Sequence, residues 1–432
     1  MTTINNNQLS KKWIKIIIGI YLFLLIFEGA LRKWIFPSFS GPLALIRDPL
    51  ALACIILALR NRIITFNLFL AFTVFITIIA LCTTLIVGHG NLFVSLYGAR
   101  ILLLHFPLIF IIGNTLNYSD ILKIGRVLLL ISVPMTALMI AQFYSPQSSF
   151  VNRGLGGDME GAGFSGALGF YRPPGTFSFI LGLTQFYSLT ACYIIYFWFN
   201  KNLINRVLLI LGTLGLIAAI PFSISRTLLF QTILSVLFMV FAALFNPKHL
   251  GKIMVGTIGI VAIFLALAFT GLLNTPIEAF TSRFEGATNI EGGVSGTIID
   301  RYLGGMLEAI LGYSDSPFFG YGLGIGTNAG GKILTGEVTT LIYAENEWSR
   351  LIGESGLLLG FLMILIRITL TVYLAFYAFI KLKKGFFLPW LLLSLCIVLI
   401  PNGQWGQITT LGFAVVTTGL LIASLKISKH KI

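Results

Sequence analysis

The sequence predicts an all-α, polytopic integral membrane protein of about twelve transmembrane helices with a long, partly helical outward loop. Three observations carry that expectation. Of the 432 residues, 57% are hydrophobic and only 10% charged, with a mean hydropathy of +0.94, which sets the chain apart from soluble globular domains. The apolar residues fall into runs near the ~20 that a bilayer core requires. The basic residues, finally, sort by kind between alternate connections.

Taken in order, the runs lie near 13–31, 44–60, 66–88, 92–113, 123–145, 177–199, 207–222, 227–245, 253–272, 353–379, 387–401 and 406–425. The first contains Glu28 and lacks a small-residue cleavage site, so it is read as a span and not as a leader. An even number of spans puts both termini on one side. The connections on that side hold thirteen lysines and four arginines, from Lys11 to Lys431. By the positive-inside rule this side is cytoplasmic. The opposite connections and the outer halves of the spans hold nine arginines and two lysines: Arg32, Lys33, Arg47, Arg100, Arg153, Arg172, Arg226, Arg283, Arg301, Lys332 and Arg350. That outward excess has no topological cause. Arginine presents a planar fork of donors matched to phosphate oxygens, whereas lysine is a hydrated point charge. The pattern points to a site gripping a phosphorylated, membrane-borne ligand.

Several functions are excluded. The net charge of +14 is spread over many loops without the dense basic stripe of a nucleic-acid binder. Cys54, Cys82, Cys192 and Cys396 form no close pair. His89, His105, His249 and His430 are scattered, and neither DxD nor HExxH occurs, so neither a metal nor another cofactor is expected. His89, in GHGN, reads as a solvated turn residue. The chain is taken as one transmembrane domain, 1–432. Two outward segments interrupt it, near 146–176 and 273–352, the latter joining spans nine and ten. Loops of that length are usually functional or disordered.

The candidate residues sit in those segments. AENEWSRLIGESGLLLG places Glu345, Asn346, Glu347, Arg350 and Glu354 at the mouth of a span. On a helix Arg350 neighbours Glu347 and Glu354, and a carboxylate at a water–membrane boundary can serve as general base. Arg226 lies in the tight turn SISR, Arg172 in YRPPGTF, and Arg301 in IIDRYLGG; converging on one face with Arg350, they would clamp an anion. Glu28 and Arg32 at i,i+4, with Arg47 and Asp48, are expected to pair with one another, because charges in a bilayer are expensive alone. Arg367, well inside a span, needs a partner of its own. Gly356 and Gly360 have the spacing of close helix packing.

YRPPGTF opening a span, SISR in a short turn, an arginine in a long loop ahead of FFGYGLGIG, and ENEWSRLIGESGLLLG re-entering the membrane occur in that order. The set resembles the O-antigen ligase and O-antigen polymerase superfamily, over roughly residues 170 to 370 by motif and over the whole chain by span layout. The resemblance implies a metal-independent glycosyltransferase of the bacterial inner membrane, with a polyprenyl-diphosphate-linked glycan as donor and a glycan, lipid or protein as acceptor. It implies Arg226 and Arg301 as diphosphate contacts with Arg172 beside them, and Asn346, Arg350 and Glu354 near substrate. In the ligases a histidine followed by asparagine stands nine residues before the glutamate of an E-x-G step. Here that step is Glu354–Gly356 and the matching pair is Glu345–Asn346, a carboxylate in place of the imidazole. A polysaccharide polymerase with Glu345 as base is therefore the leading expectation, and a ligase the alternative. A lipid-linked glycan transporter is the alternative of another class. Glu347, two residues on, is expected to tolerate loss of its charge better than Glu345.

Overall fold

A computed structural model describes residues 2–64, 67–245, 251, 271, 273–291, 304–311, 317–336 and 346–427. The ninth apolar run, 253–272, falls almost wholly outside the described residues, as do Arg301 and Glu345.

The described chain is almost entirely helical. Its main elements are α1 (Thr2–Ala30), α2 (Asp48–Arg60), α3 (Leu68–Ile86), α4 (Leu92–Arg100), α5 (Phe106–Thr115), α6 (Tyr118–Tyr144), a hairpin of β1 (Phe164–Ala167) and β2 (Phe170–Arg172), and α7 (Ile180–Phe199). They continue with α8 (Arg206–Phe222), α9 (Arg226–Leu244), α10 (Asn274–Glu291), α11 (Gly305–Leu311), α12 (Asn328–Thr335), α13 (Glu347–Lys383), α14 (Phe387–Asn402) and α15 (Ile408–Ser424). Among the described residues eight helical stretches are long and apolar enough to cross a membrane, and α8, α14 and α15 are shorter apolar helices. This is a membrane protein of helical type, and each of these elements coincides with one apolar run of the sequence.

Local chemistry sets where the helices begin. Asn67, Asn91, Asn117 and Asn205 each stand at an N-cap, with the side-chain oxygen accepting a backbone N–H of the first turn, and Asn117 forms a capping box with Asp120. Between the helices, burial separates centre from periphery. The apolar window of Ile180–Phe199 is 89% buried and that of Leu68–Ile86 only 28%, so α7 is central and α3 faces the surroundings. Small residues let the central helices close up: a Cβ at Gly419 would strike Ile112, and one at Gly113 would strike Ile422. A polar knot joins α7, α9 and α14. Ser235 and Ser394 hydroxyls lie 2.8 Å apart, and Gln231 donates to the Ser394 carbonyl at 2.8 Å.

Charges inside the bundle are paired, though not all as the sequence suggested. Arg32 reaches Glu28 at 2.9 Å and Arg47 reaches it at 3.4 Å. Asp48 turns away from its neighbour Arg47 and joins Arg100 (2.9 Å) and His105 (2.8 Å), with the other ring nitrogen of His105 3.0 Å from the Tyr21 hydroxyl. Sequence adjacency failed here because consecutive residues at a helix start point in different directions.

The element that most shapes the outward end is α13. Glu347 and Arg367 are 20 residues apart yet bonded at 2.8 Å, whereas an unbroken helix would separate them by about 30 Å. The chain reverses at Gly356, where φ is 78° and ψ 168°, a region open essentially to glycine alone. Gly356 and Gly360 therefore do not form a helix-packing stripe, as their spacing suggested. Gly356 makes the reversal, and Gly360 lets the two arms touch at Ile352. Carbonyls freed at the break are taken by the preceding loop: Tyr321 and Gly322 donate to Gly353 and Glu354 at 2.8 and 2.9 Å. That loop is pinned in turn by the α3–α4 corner, where Leu323 N–H donates to Thr84 Oγ1 (2.9 Å) and its carbonyl meets His89 Nε2 (3.1 Å). His89 Nδ1 accepts from Asn91 N–H, so Nε2 carries the proton and donates. His89 is a clamp and not a solvated turn residue.

Replacing Gly356 with alanine should cost at least about 3 kcal/mol, adding a collision with the Phe318 carbonyl to the forbidden backbone geometry. Gly385→Ala, at φ 88° but facing open space, should cost only about 1 kcal/mol. Thermal melts of the two variants in detergent check this, and equal losses would contradict the reversal.

Candidate functional site

Two groups of charged side chains lie on the arginine-rich end. The first is built on the hairpin. Leu168 and Gly169 both have positive φ (52° and 80°), the pairing a two-residue hairpin turn requires. The turn brings β2 back so that Arg172 faces Phe164. The Arg172 guanidinium lies over the Phe164 ring, 4.8 Å from its centroid, and its Nε donates to the Ser165 carbonyl at 3.2 Å. Arg283, on α10, donates to the Gly166 and Ser165 carbonyls at 3.1 and 3.4 Å. Arg226 opens α9 directly after its cap Ser225.

The chain beyond Arg172 is firmly held. Pro173 and Pro174 stiffen it, the Gly175 N–H donates to Gln142 Oε1 at 2.8 Å, and Lys33 Nζ donates to the Gly175 and Phe177 carbonyls at 2.8 Å each. Arg172, Arg226 and Arg283 are each half-buried and near enough to act on one another. Burial first, then the charges of Arg283 and Arg226, push the Arg172 pKa down to about 10. An anion entering among them would relieve the repulsion that Arg172 feels from Arg283 and Arg226.

The second group lies on the reversed arm of α13. Arg350 grips Glu347 through two nitrogens at 2.6 and 3.0 Å and Glu354 through the third at 2.7 Å. Arg367 shares Glu347 at 2.8 Å and stacks on Trp405, 3.8 Å from the ring centroid. The Gly326 N–H donates to Glu354 at 3.1 Å. Two carboxylates and two guanidiniums balance, and Glu347, Arg350, Glu354 and Arg367 are all buried. Asn346 caps the arm, accepting from Ser349 N–H at 2.8 Å, and ties it to α11 through the Gly305 carbonyl, also at 2.8 Å.

Arg172 and Arg226 lie near enough for their charges to interact; Arg301 lies outside the described residues, and Arg350 belongs to the second group. Asn346, Arg350 and Glu354 are committed to one another and to the backbone, so we assign them to framework, because their donors and acceptors are already used. The tolerance expected of Glu347 is corrected for the same reason: it is the shared acceptor of two buried guanidiniums. Sequence reasoning noted Arg283 only as one of the outward arginines; its distance along the chain from Arg172 gives no sign of the meeting. No protein-family model, curated protein or solved structure matches the chain.

Two outcomes follow. Glu347→Gln should destabilise the protein by about 3–5 kcal/mol, since removing one partner of a buried pair leaves the other charge uncompensated; a melting temperature equal to wild type would contradict the network. Inorganic diphosphate at low ionic strength should raise the melting temperature of the wild type, and raise it less for Arg172→Gln and Arg283→Gln. The sign with pH is set by Arg172: the cation is complete below its pKa of about 10 and is lost above it, so the protection should fade as pH rises through that value. Equal protection of both variants would dissolve the arginine group as an anion site.

Proposed function

We propose that the chain is a metal-independent membrane glycosyltransferase, a polysaccharide polymerase that moves a glycan from a polyprenyl-diphosphate donor to a sugar hydroxyl of a second lipid-linked unit. In this reading about twelve spans cross the bacterial inner membrane, both termini are cytoplasmic, and the arginine-rich end faces the periplasm. The observation that carries it is the gathering of Arg172, Arg226 and Arg283 around the β hairpin.

The chemistry fits three guanidiniums better than one. The bond between the anomeric carbon and the diphosphate oxygen breaks, a bond from the acceptor oxygen to that carbon forms, and the acceptor proton passes to a base. Polyprenyl diphosphate leaves with one more negative charge than it held as an ester. Preorganised donors in a partly dry site stabilise charge that develops in this way. They also hold the diphosphate in place without a metal. Glu345 is the proposed base and Arg301 a further diphosphate contact, both resting on the family resemblance. Glu347, buried and shared by two arginines, is not available as a base.

The test is polymer formation by purified protein from a lipid-linked donor. Arg226→Lys and Arg172→Lys should each fall ten- to a hundred-fold, about the 1.5–3 kcal/mol of one charge-assisted contact, although charge is kept, because a point charge cannot reproduce a forked grip. Glu345→Gln should bind donor yet lose roughly 10²–10⁴ in rate. Normal polymer from the two arginine variants at equal protein level would sink the reading. Normal polymer from Glu345→Gln alone would remove only the base assignment.

A further inference from the structure

The opposite end of the bundle carries a site that the proposed reaction does not use. A cavity of about 230 Å³ opens between the ends of four helices and is lined by Lys11, Asn61, Arg62, Ile63, Asn114 and Lys426. Three of the six lining side chains are cationic and none is acidic. The only ion pair among the described residues near it belongs to Lys15, which Asp120 neutralises at 2.6 Å. Lys426 is exposed, and its pKa is held below the usual lysine value by partial desolvation and then by the charge of Lys11. Among the described residues no carboxylate pairs with Lys11, Arg62 or Lys426.

The walls of the cavity are built. Asn114 accepts from Lys426 Nζ at 2.8 Å and donates to the Ile63 carbonyl at 3.3 Å. Asn61 accepts from Ser10 at 2.9 Å and donates to the Leu57 carbonyl at 2.7 Å. Arg62 is the most informative of the lining residues. It stands directly after α2 with φ of 51°, and the Ile63 N–H returns to the Ala58 carbonyl at 2.8 Å. This is the left-handed position that ends helices, where glycine is the ordinary residue. An arginine there carries backbone strain that glycine would not, while supplying the cavity with a forked donor.

We propose that this cavity binds the phosphate of an anionic phospholipid headgroup, with Lys11, Arg62 and Lys426 as its cationic contacts. Basic pockets between the ends of transmembrane helices suit that chemistry, because the lipid's phosphate lies at their level while its acyl chains stay in the bilayer. The same three cations would also accept a soluble phosphate ester, so the test separates the two sources.

Purified protein in a neutral detergent is melted with added phosphatidylglycerol, with phosphatidylcholine, or with glycerol 3-phosphate. Phosphatidylglycerol is expected to raise the melting temperature and phosphatidylcholine to leave it unchanged. The rise should be lost in Arg62→Gly, which suits the left-handed backbone and keeps the fold, and in Lys426→Gln, whose amide can still reach Asn114. A rise with glycerol 3-phosphate as large as that with the lipid, and lost in the same variants, keeps the phosphate site but assigns it to a soluble ester. No rise with either phosphate, or an undiminished rise in both variants, overturns the proposal. Polymer formation is not part of the readout, so failure here leaves the proposed reaction standing.

Discussion

The architecture around α13 depends on one carboxylate. Glu347 is buried and accepts from both Arg350 and Arg367; Arg350 also holds Glu354, but among the described residues Glu347 is the one carboxylate bonded to Arg367, and a buried guanidinium is costly without one. Because Arg367 lies on the far arm of α13, that shared acceptor fastens the two arms together. The fastened arms present the Gly353 and Glu354 carbonyls to the loop of Tyr321 and Gly322, and the same loop is locked to α3 and to His89. A single desolvated charge thus fixes three segments that sequence separates widely.

Arginine is used in two opposed ways on the same face. In the α13 group each guanidinium is matched by a carboxylate and buried, which gives rigidity. Around the hairpin, Arg172 and Arg283 bond to backbone carbonyls of Ser165 and Gly166. Carbonyls orient a cation without cancelling its charge. The first arrangement braces the two arms of one helix, and the second holds its guanidiniums against a short hairpin. Identical residue types in one composition tally conceal this difference.

Much of the architecture was legible because its causes are local. Apolar runs of bilayer length located the helices. Arg172 and Arg226 stood out through an outward excess of arginine that topology does not demand. What could not be read depends on contacts across distance. GLLLG looks like a packing stripe until Phe318 is known to lie against Gly356, and Glu347 looks solvated until Arg367 folds back onto it. The hairpin was hidden in a glycine-rich stretch whose alternation is too short to separate from a loop. Arg283 joins Arg172 only through tertiary packing, and no spacing rule spans that interval.

The stacking of Arg367 on Trp405 has a bearing on how the protein is made. Trp405 lies beyond α14, so when α13 first enters the bilayer during synthesis its buried arginine has no aromatic face to rest against. Until α14 and the turn after it arrive, the insertion machinery handles a helix whose central charge is only partly compensated, at a cost of about 2.5–3.5 kcal/mol for an unshielded guanidinium. The C-terminal helices therefore act as an internal chaperone for the one before them. Chains ended ahead of α14 should be degraded faster than full-length chains, and replacing Arg367 and Glu347 together with leucine and glutamine should slow that degradation.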